Sequence, residues 1–217
     1  MPREFCLRCR RPLESCLCPR DEPMDTKTRI VLLMHPKEFR RTKCTTGRIT
    51  TLNLRNSEIL VGLDFAGNGR IKTILGDPES YPVLLYPGEG AADLSTPGGA
   101  SSLPRDRRLV VFLIDATWAC SRSLLRANSW LLQLPRVMFS PREPSRWVIK
   151  RQPAAHCLST LESVHELLLA LDAAGLDTYP DKERLLERFA ALQAYQLERA
   201  TAAGRRIQLR NAEPASE

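Results

Sequence analysis

The sequence predicts an α/β fold, and three observations carry that expectation. Leu109-Val110-Val111-Phe112-Leu113-Ile114 is an unbroken apolar run rich in aliphatic side chains, the signature of a strand buried on both faces. The residues from Ala119 to Leu132 then take up a helix pattern. Ser159–Ala173 is a second helix: Ser159 or Thr160 can cap it, Glu162 sits in its first turn, and Leu161, Val164, Leu168 and Leu171 form its apolar stripe.

The other elements follow in chain order. Residues 1–24 form an Arg- and Pro-rich head with four cysteines and no helix or strand periodicity. Thr28–Met34 reads as the first core strand, ended by His35-Pro36 because proline cannot continue a central ladder. Arg40–Arg48 reads as a basic loop, with Thr45-Thr46-Gly47 offering a helix start. Ile59–Leu63 fits a short strand or scattered core contacts equally well. Pro82–Tyr86 is a further strand, turned by Pro87-Gly88-Glu89-Gly90 into a mobile, Ser-, Pro- and Gly-rich loop over Ala91–Arg108. Arg136–Phe139 is one more strand, and an arginine-rich loop with three prolines runs to Pro153. A last helix spans Pro180 to Ala203 with Leu185, Phe189, Leu192 and Tyr195 on its apolar face. The expected organisation is a head over 1–24, a catalytic domain over 25–178, and a helix and tail over 179–217.

A chain of 217 residues with 43% hydrophobic content suits one such domain with small appendages. Its net charge of +7 points to an anionic partner. No apolar run reaches the roughly 18 residues of a membrane span, and Met1–Cys6 lacks the apolar segment of a signal peptide. The expectation is a cytoplasmic protein with reduced thiols and no obligate protein partner; seven cysteines do not make a complete disulfide framework.

Cys6-Leu7-Arg8-Cys9 and Cys16-Leu17-Cys18 make a C-x2-C-x6-C-x-C quartet. Two chelating pairs this close can wrap one tetrahedral ion in thiolates, which suits structural zinc; a redox-active cluster and an iron–sulfur centre are the other readings. So small a head would draw its stability from the metal. Arg3, Arg8, Arg10 and Arg11 make it either a grip for RNA or a clip for the amino terminus. Cys44, Cys120 and Cys157 read as small core residues. His165 reads as structural, His156 is ambiguous, and His35 lies where it can approach a pocket.

Asp115-Ala116-Thr117-Trp118 stands where the central strand ends and a helix begins, the place where open α/β sheets bind ligands. The alternative is that Asp115 or Thr117 caps the helix and Trp118 fills core.

Taken in order, six motifs resemble the DTW-domain family, the tRNA-uridine aminocarboxypropyltransferases. They are the four-cysteine head, His35-Pro36-Lys37-Glu38, Thr46-Gly47-Arg48, Leu85-Tyr86-Pro87-Gly88, Asp115-Ala116-Thr117-Trp118 and Leu158-Ser159-Thr160-Leu161-Glu162. The family commonly has glycine at the position of Ala116 and asparagine at that of Thr45. The resemblance implies a SPOUT-like, largely parallel sheet with a C-terminal knot. It also implies S-adenosylmethionine held at the sheet's carboxyl edge and transfer of its 3-amino-3-carboxypropyl group to N3 of a tRNA uridine.

On that reading Asp115 is the base, or a group that orients the uracil edge or steadies the sulfonium. Leu85, Tyr86, Pro87 and Gly88, with Leu158, Ser159 and Thr160, cradle the cofactor, while Thr117 and Trp118 hold the loop and pack on cofactor or substrate. Cys6, Cys9, Cys16 and Cys18 hold zinc. Arg40, Arg41, Arg48, Arg122 and Arg151 lead a set of cations for the tRNA backbone, joined by Lys43, Arg126, Arg142, Arg146 and Lys150. Trp118, Trp147 and Tyr86 are the candidate stacking platforms. A SPOUT-type RNA methyltransferase and a noncatalytic zinc-bearing RNA adaptor are the competing functions.

Overall fold

The computed structural model describes residues 4–19, 21–41, 45–148 and 157–204, without the side chains of Arg41, Trp118 and Ala119. Six strands form one sheet in which every pairing is parallel: β1 Arg29–Met34, β2 Ser57–Val61, β3 Ser80–Leu85, β4 Ala92–Asp93, β5 Arg108–Asp115 and β6 Arg136–Met138, in the order β2-β1-β5-β3-β6-β4. The helices are α1 Pro36–Arg41, α2 Thr46–Asn53, α3 Gly69–Gly76, α4 Trp118–Ala127, α5 Thr160–Ala173 and α6 Arg184–Ala202.

Strand alternation sends side chains to two cores. Ile30, Leu32, Val83, Val111 and Leu113 meet Ile49 of α2, the Leu161–Leu171 stripe of α5, and Leu185, Phe189 and Leu192 of α6. Val31, Leu33, Leu84, Val110 and Phe112 face the other way, onto Ile71 and Ile74 of α3 and Leu124 and Leu125 of α4. Helices thus cover both faces, and for this reason β1 and β5 are continuous apolar runs. Phe112 is fully buried, so Phe112→Ala would cost about 3–5 kcal/mol through lost transfer and a cavity.

Four segments differ from the expectations. Pro36 ends β1 but also opens α1, because its fixed φ and missing N–H suit a first helical residue; Arg40 and Arg41 therefore lie on a helix, not a loop. The 91–108 segment is tethered: Leu94 and Leu103 are buried, and Leu94 N–H donates to Met138 O at 2.8 Å. The helix after β5 stops at Asn128 (φ −130°, ψ 55°), followed by a 3-10 turn over Ser129–Gln133. Asn128 is fully buried and spends its amide on other backbone, accepting from Phe65 N–H (2.7 Å) and donating to Leu63 O and Leu124 O. The last helix begins at Arg184, four residues later than expected; Asp181 accepts from Arg184 N–H and from its guanidinium.

Two carboxylates pin α5. Ser159 and Glu162 form a full capping box at its start. Beyond its end, buried Asp177 accepts from Lys27, Thr28 and Thr178 N–H groups, fastening the helix to the entry of β1. Within α5, His165 is buried against the Tyr179 hydroxyl, 3.2 Å from its Nδ1.

Burial, helped by the charges of Arg146 and Arg142, holds the His165 pKa down to about 4 from the ordinary 6.5. The unfolded chain therefore binds more protons between those values, and this group's contribution to stability is lost as pH falls from about 6.5 toward 4. Urea unfolding at several pH values in that window should show a shallower decline for His165→Gln than for the parent chain. Parallel declines would contradict the assignment.

Candidate active site

Asp115 is the last residue of β5, between β1 and β3 at the carboxyl edge of the sheet. Its backbone O accepts from His35 N–H at 3.3 Å, so the ends of β1 and β5 are joined there. The side chain is only 7% exposed. Oδ1 accepts from the Thr160 hydroxyl at 2.8 Å, a contact spanning 45 residues from β5 to the first residue of α5. On another side Gly47 leaves room for the carboxylate: a Cβ there would stand 2.1 Å from Asp115 Oδ2 and 3.1 Å from Leu32 Cδ1. Gly47 lies in the first turn of α2, where Thr45 caps the helix by accepting from Arg48 N–H.

Thr117 does not take the capping role. Thr117 precedes α4 without a side-chain cap bond, and the Asp115 carboxylate turns to Thr160. Thr117 is exposed, and Trp118 opens α4 with its side chain outside the described atoms.

The other expected cofactor residues come to the same edge. Leu85 ends β3, and Tyr86, half-buried, donates its N–H to Val137 O at 3.1 Å. Pro87 and Gly88 then leave the sheet, exposed. Gly88 has φ 148°, and a Cβ on it would lie 2.8 Å from Arg136 Nη1, so this turn requires glycine. Leu158 is half-buried beside α5. Ser159 and Thr160 have their hydroxyls committed, one to the capping box and one to Asp115. Glu162, 4% exposed, accepts from Ser145 Oγ, Arg146 N–H and Ser159 N–H, which ties the Ser145–Val148 segment over the start of α5.

A wide cavity lies elsewhere. About 720 Å³ opens at the amino ends of β1 and β5, lined by Lys27, Thr28, Arg105, Arg107 and Arg108 among others. Ligands of parallel α/β sheets bind at carboxyl ends, so chemistry and topology both favour the Asp115 edge.

The expected RNA contacts divide. Arg40, Arg122 and Arg126 are exposed. Arg142 is exposed and paired with Glu166 at 3.8 Å, and Arg146 pairs with Glu143 at 3.0 Å. Arg48 is only 6% exposed, with its guanidinium 5.3 Å from the Phe39 ring, and so belongs to the interior next to Gly47. Trp147 is buried edge-on to Phe189, which removes it as a stacking platform. Lys43, Cys44, Lys150, Arg151, His156 and Arg3 lie outside the described residues, as does the Arg41 side chain.

The cysteine head is built around its sulfurs. The Cys6, Cys9, Cys16 and Cys18 Sγ atoms all lie within 4.8 Å of one another, with Cys6–Cys18 at 3.5 Å and Cys9–Cys16 at 3.7 Å. A tetrahedral zinc with Zn–S bonds of about 2.3 Å would space its sulfurs about 3.8 Å apart, so the set fits one such ion. The Cys9 backbone N–H lowers the Cys6 thiol to about 6, whereas burial pushes Cys18 up. Arg10 and Arg11 attach the head: Arg10 lies 4.3 Å over the Phe39 ring of α1, and Arg11 lies 3.9 Å over the Tyr195 ring of α6. Arg11 is 2% exposed, so it serves as a clip and not as an RNA grip.

Gly47 and Phe39 are parts of this arrangement that sequence reasoning did not single out for these roles, and Arg11, which it weighed as a clip, has a ring partner that the sequence does not show. The Thr46-Gly47-Arg48 motif was the available signal for the first; the ring contacts of the other two depend on distant partners.

A family model described as the DTW domain matches residues 3–197. The chain is 29% identical over 205 residues to mouse tRNA-uridine aminocarboxypropyltransferase 2, covering 90% of this chain and 64% of that protein. It is 28% identical to the Drosophila melanogaster protein of the same name, over 90% of this chain and 76% of that one. The match to Arabidopsis thaliana tRNA-uridine aminocarboxypropyltransferase A is also 28%, over 80% of this chain and 74% of that one. The chain thus spans just under two thirds of the mouse relative. No solved structure matches it.

The purified protein should carry one metal ion per chain by elemental analysis, lost on Cys16→Ser or on strong chelation. Loss should abolish amide protection in residues 4–19 and leave β1 and β5 protected. A metal-free chain with a protected head would contradict the four-thiolate site.

Proposed function

Because the chain belongs to the DTW domain family, we propose that it transfers the 3-amino-3-carboxypropyl group of S-adenosylmethionine to N3 of a uridine in tRNA, releasing 5′-methylthioadenosine. The names of its relatives support the substrate and the group transferred. The structural observation that carries the reading is Asp115: a nearly buried carboxylate at the ligand-binding edge, held by Thr160 and given room by Gly47.

Bound S-adenosylmethionine supplies a sulfonium-activated carbon that needs no further activation by the protein. The chain's task is placement and one proton. Asp115 accepts the N3 proton of the uracil, with Thr160 fixing its rotamer. The chemistry of the surrounding edge fits such a cofactor: the Leu85–Gly88 turn and the Leu158–Thr160 segment offer backbone groups at the same edge as the carboxylate, while the Tyr86 ring packs on the other face of the sheet. The hydroxyls of Ser159 and Thr160 set the frame of that cradle and do not line it as free donors. Arg40 and Arg122 present cations to the tRNA backbone. Zinc in the head is structural, since four thiolates leave no open position, and such a set suits a reducing cytoplasm. No helix among the described residues is long and apolar enough to cross a membrane.

Incubation with tRNA and carbon-labelled cofactor tests the reaction. Label from the methionine chain should enter RNA, and label in the methyl group should remain on methylthioadenosine; methyl label in RNA would show a methyltransferase. Asp115→Asn should lower turnover by about 10²–10⁴-fold while tRNA binding persists. Gly47→Ala should cost turnover through displacement of the carboxylate. Thr160→Ser should retain most activity where Thr160→Val does not, and equal rates for the two would remove the hydrogen bond from the account.

A further inference from the structure

The cysteine head displays apolar surface that its own folding does not use. Leu7, between Cys6 and Cys9, is 93% exposed, and Leu13 is 52% exposed. A segment so poor in apolar burial has little reason to leave two leucines in water, where each forgoes the gain of packing. Arg8 and Arg10 are exposed beside them, and among the described residues neither makes an ion pair.

The place of this tip matters. Arg10 lies over Phe39 of α1, and α1 begins directly after β1. There His35 N–H meets Asp115 O, and Phe39 N–H in turn meets His35 O at 3.3 Å. The head is therefore attached to the carboxyl edge that carries Asp115. Buried Arg11, stacked on Tyr195, holds it from the other side, so the tip is presented on a fixed mount.

We infer that the Leu7–Arg8 tip, with Leu13, stacks unpaired nucleotides of the tRNA next to the uridine that Asp115 addresses. The inference rests on the proposed function for its partner and deepens it. An aliphatic side chain packs against the face of a nucleobase by burying apolar surface, and an adjacent guanidinium stacks on a base or pairs with a phosphate. That mixture, on a chain of net charge +7, complements single-stranded RNA. A duplex hides its base faces. A uridine reacting at N3 is itself unpaired, since that atom lies on its pairing edge.

The test uses the full-length, metal-loaded protein and a tRNA transcript. Leu7→Ser should weaken tRNA binding about tenfold through lost apolar burial and raise KM for tRNA in parallel, with KM for S-adenosylmethionine within about twofold. Leu7→Trp should restore or tighten binding, and Arg8→Ser should reduce the salt slope by about 0.7. An unpaired RNA oligonucleotide should compete better than a duplex of equal length against the parent chain, and lose that advantage against Leu7→Ser. Metal content reports the fold of the head; if Leu7→Ser loses metal, Leu13→Ser gives the same reading.

Unchanged tRNA affinity in the metal-loaded variants would overturn the inference. So would a change confined to the molecular mass in solution, which would make the tip a contact between copies. If the parent chain binds tRNA through Leu7 but transfers no group, the functional reading fails and this surface stands. If it transfers the group with affinity indifferent to Leu7 and Leu13, the reverse holds.

Discussion

The hydrogen bond from Thr160 to Asp115 joins the central strand to the helix that brings Leu161, Val164, Leu167, Leu168 and Leu171 to one core. A carboxylate taken almost wholly from water is costly unless donors meet it. The donor arrives from 45 residues away, so its position depends on how α5 begins. That beginning is fixed by Ser159 and Glu162, and the same Glu162 carboxylate gathers Ser145 and Arg146 from the preceding segment. One buried acid thus sets the helix start, the helix start sets Thr160, and Thr160 sets the Asp115 carboxylate. Gly47 supplies the complementary condition by having no side chain to occupy the space.

The sheet explains why this corner lies where it does. All its strands run parallel, so every carboxyl end faces one edge, and β5 at the centre delivers Asp115 between β1 and β3. The cysteine head is brought to that edge through α1, with Phe39 within reach of both Arg10 and Arg48. Gly47 of α2 and Thr160 of α5 flank the Asp115 carboxylate at this edge and keep it nearly out of solvent.

Much of this was legible in the sequence. The run Leu109–Ile114 reads as a strand because its aliphatic residues suit a sheet covered on both faces, and the spacing of the four cysteines points to the cluster whose sulfurs could hold one metal ion. Ser159 with Glu162 three residues later announces the start of α5. Where the reading fell short, the deciding partner is remote. Pro36 reads as a strand stop, although the same ring geometry also opens a helix. The short α3 offers just Ile71 and Ile74 to its core, too few for a periodic signal. Asn128 breaks a helix by bonding to backbone some 65 residues away. Arg11, Arg48 and Trp147 look like surface residues until Tyr195, Phe39 and Phe189 are placed against them.

The most direct measurement is a crystal structure of the protein with S-adenosylmethionine and a short uridine-bearing RNA. The account predicts the uracil edge within hydrogen-bonding distance of the Asp115 carboxylate, and the cofactor between the Leu85–Gly88 turn and the start of α5. Cofactor density in the basic cleft at the amino ends of β1 and β5, with side chains closed over Asp115, would contradict it.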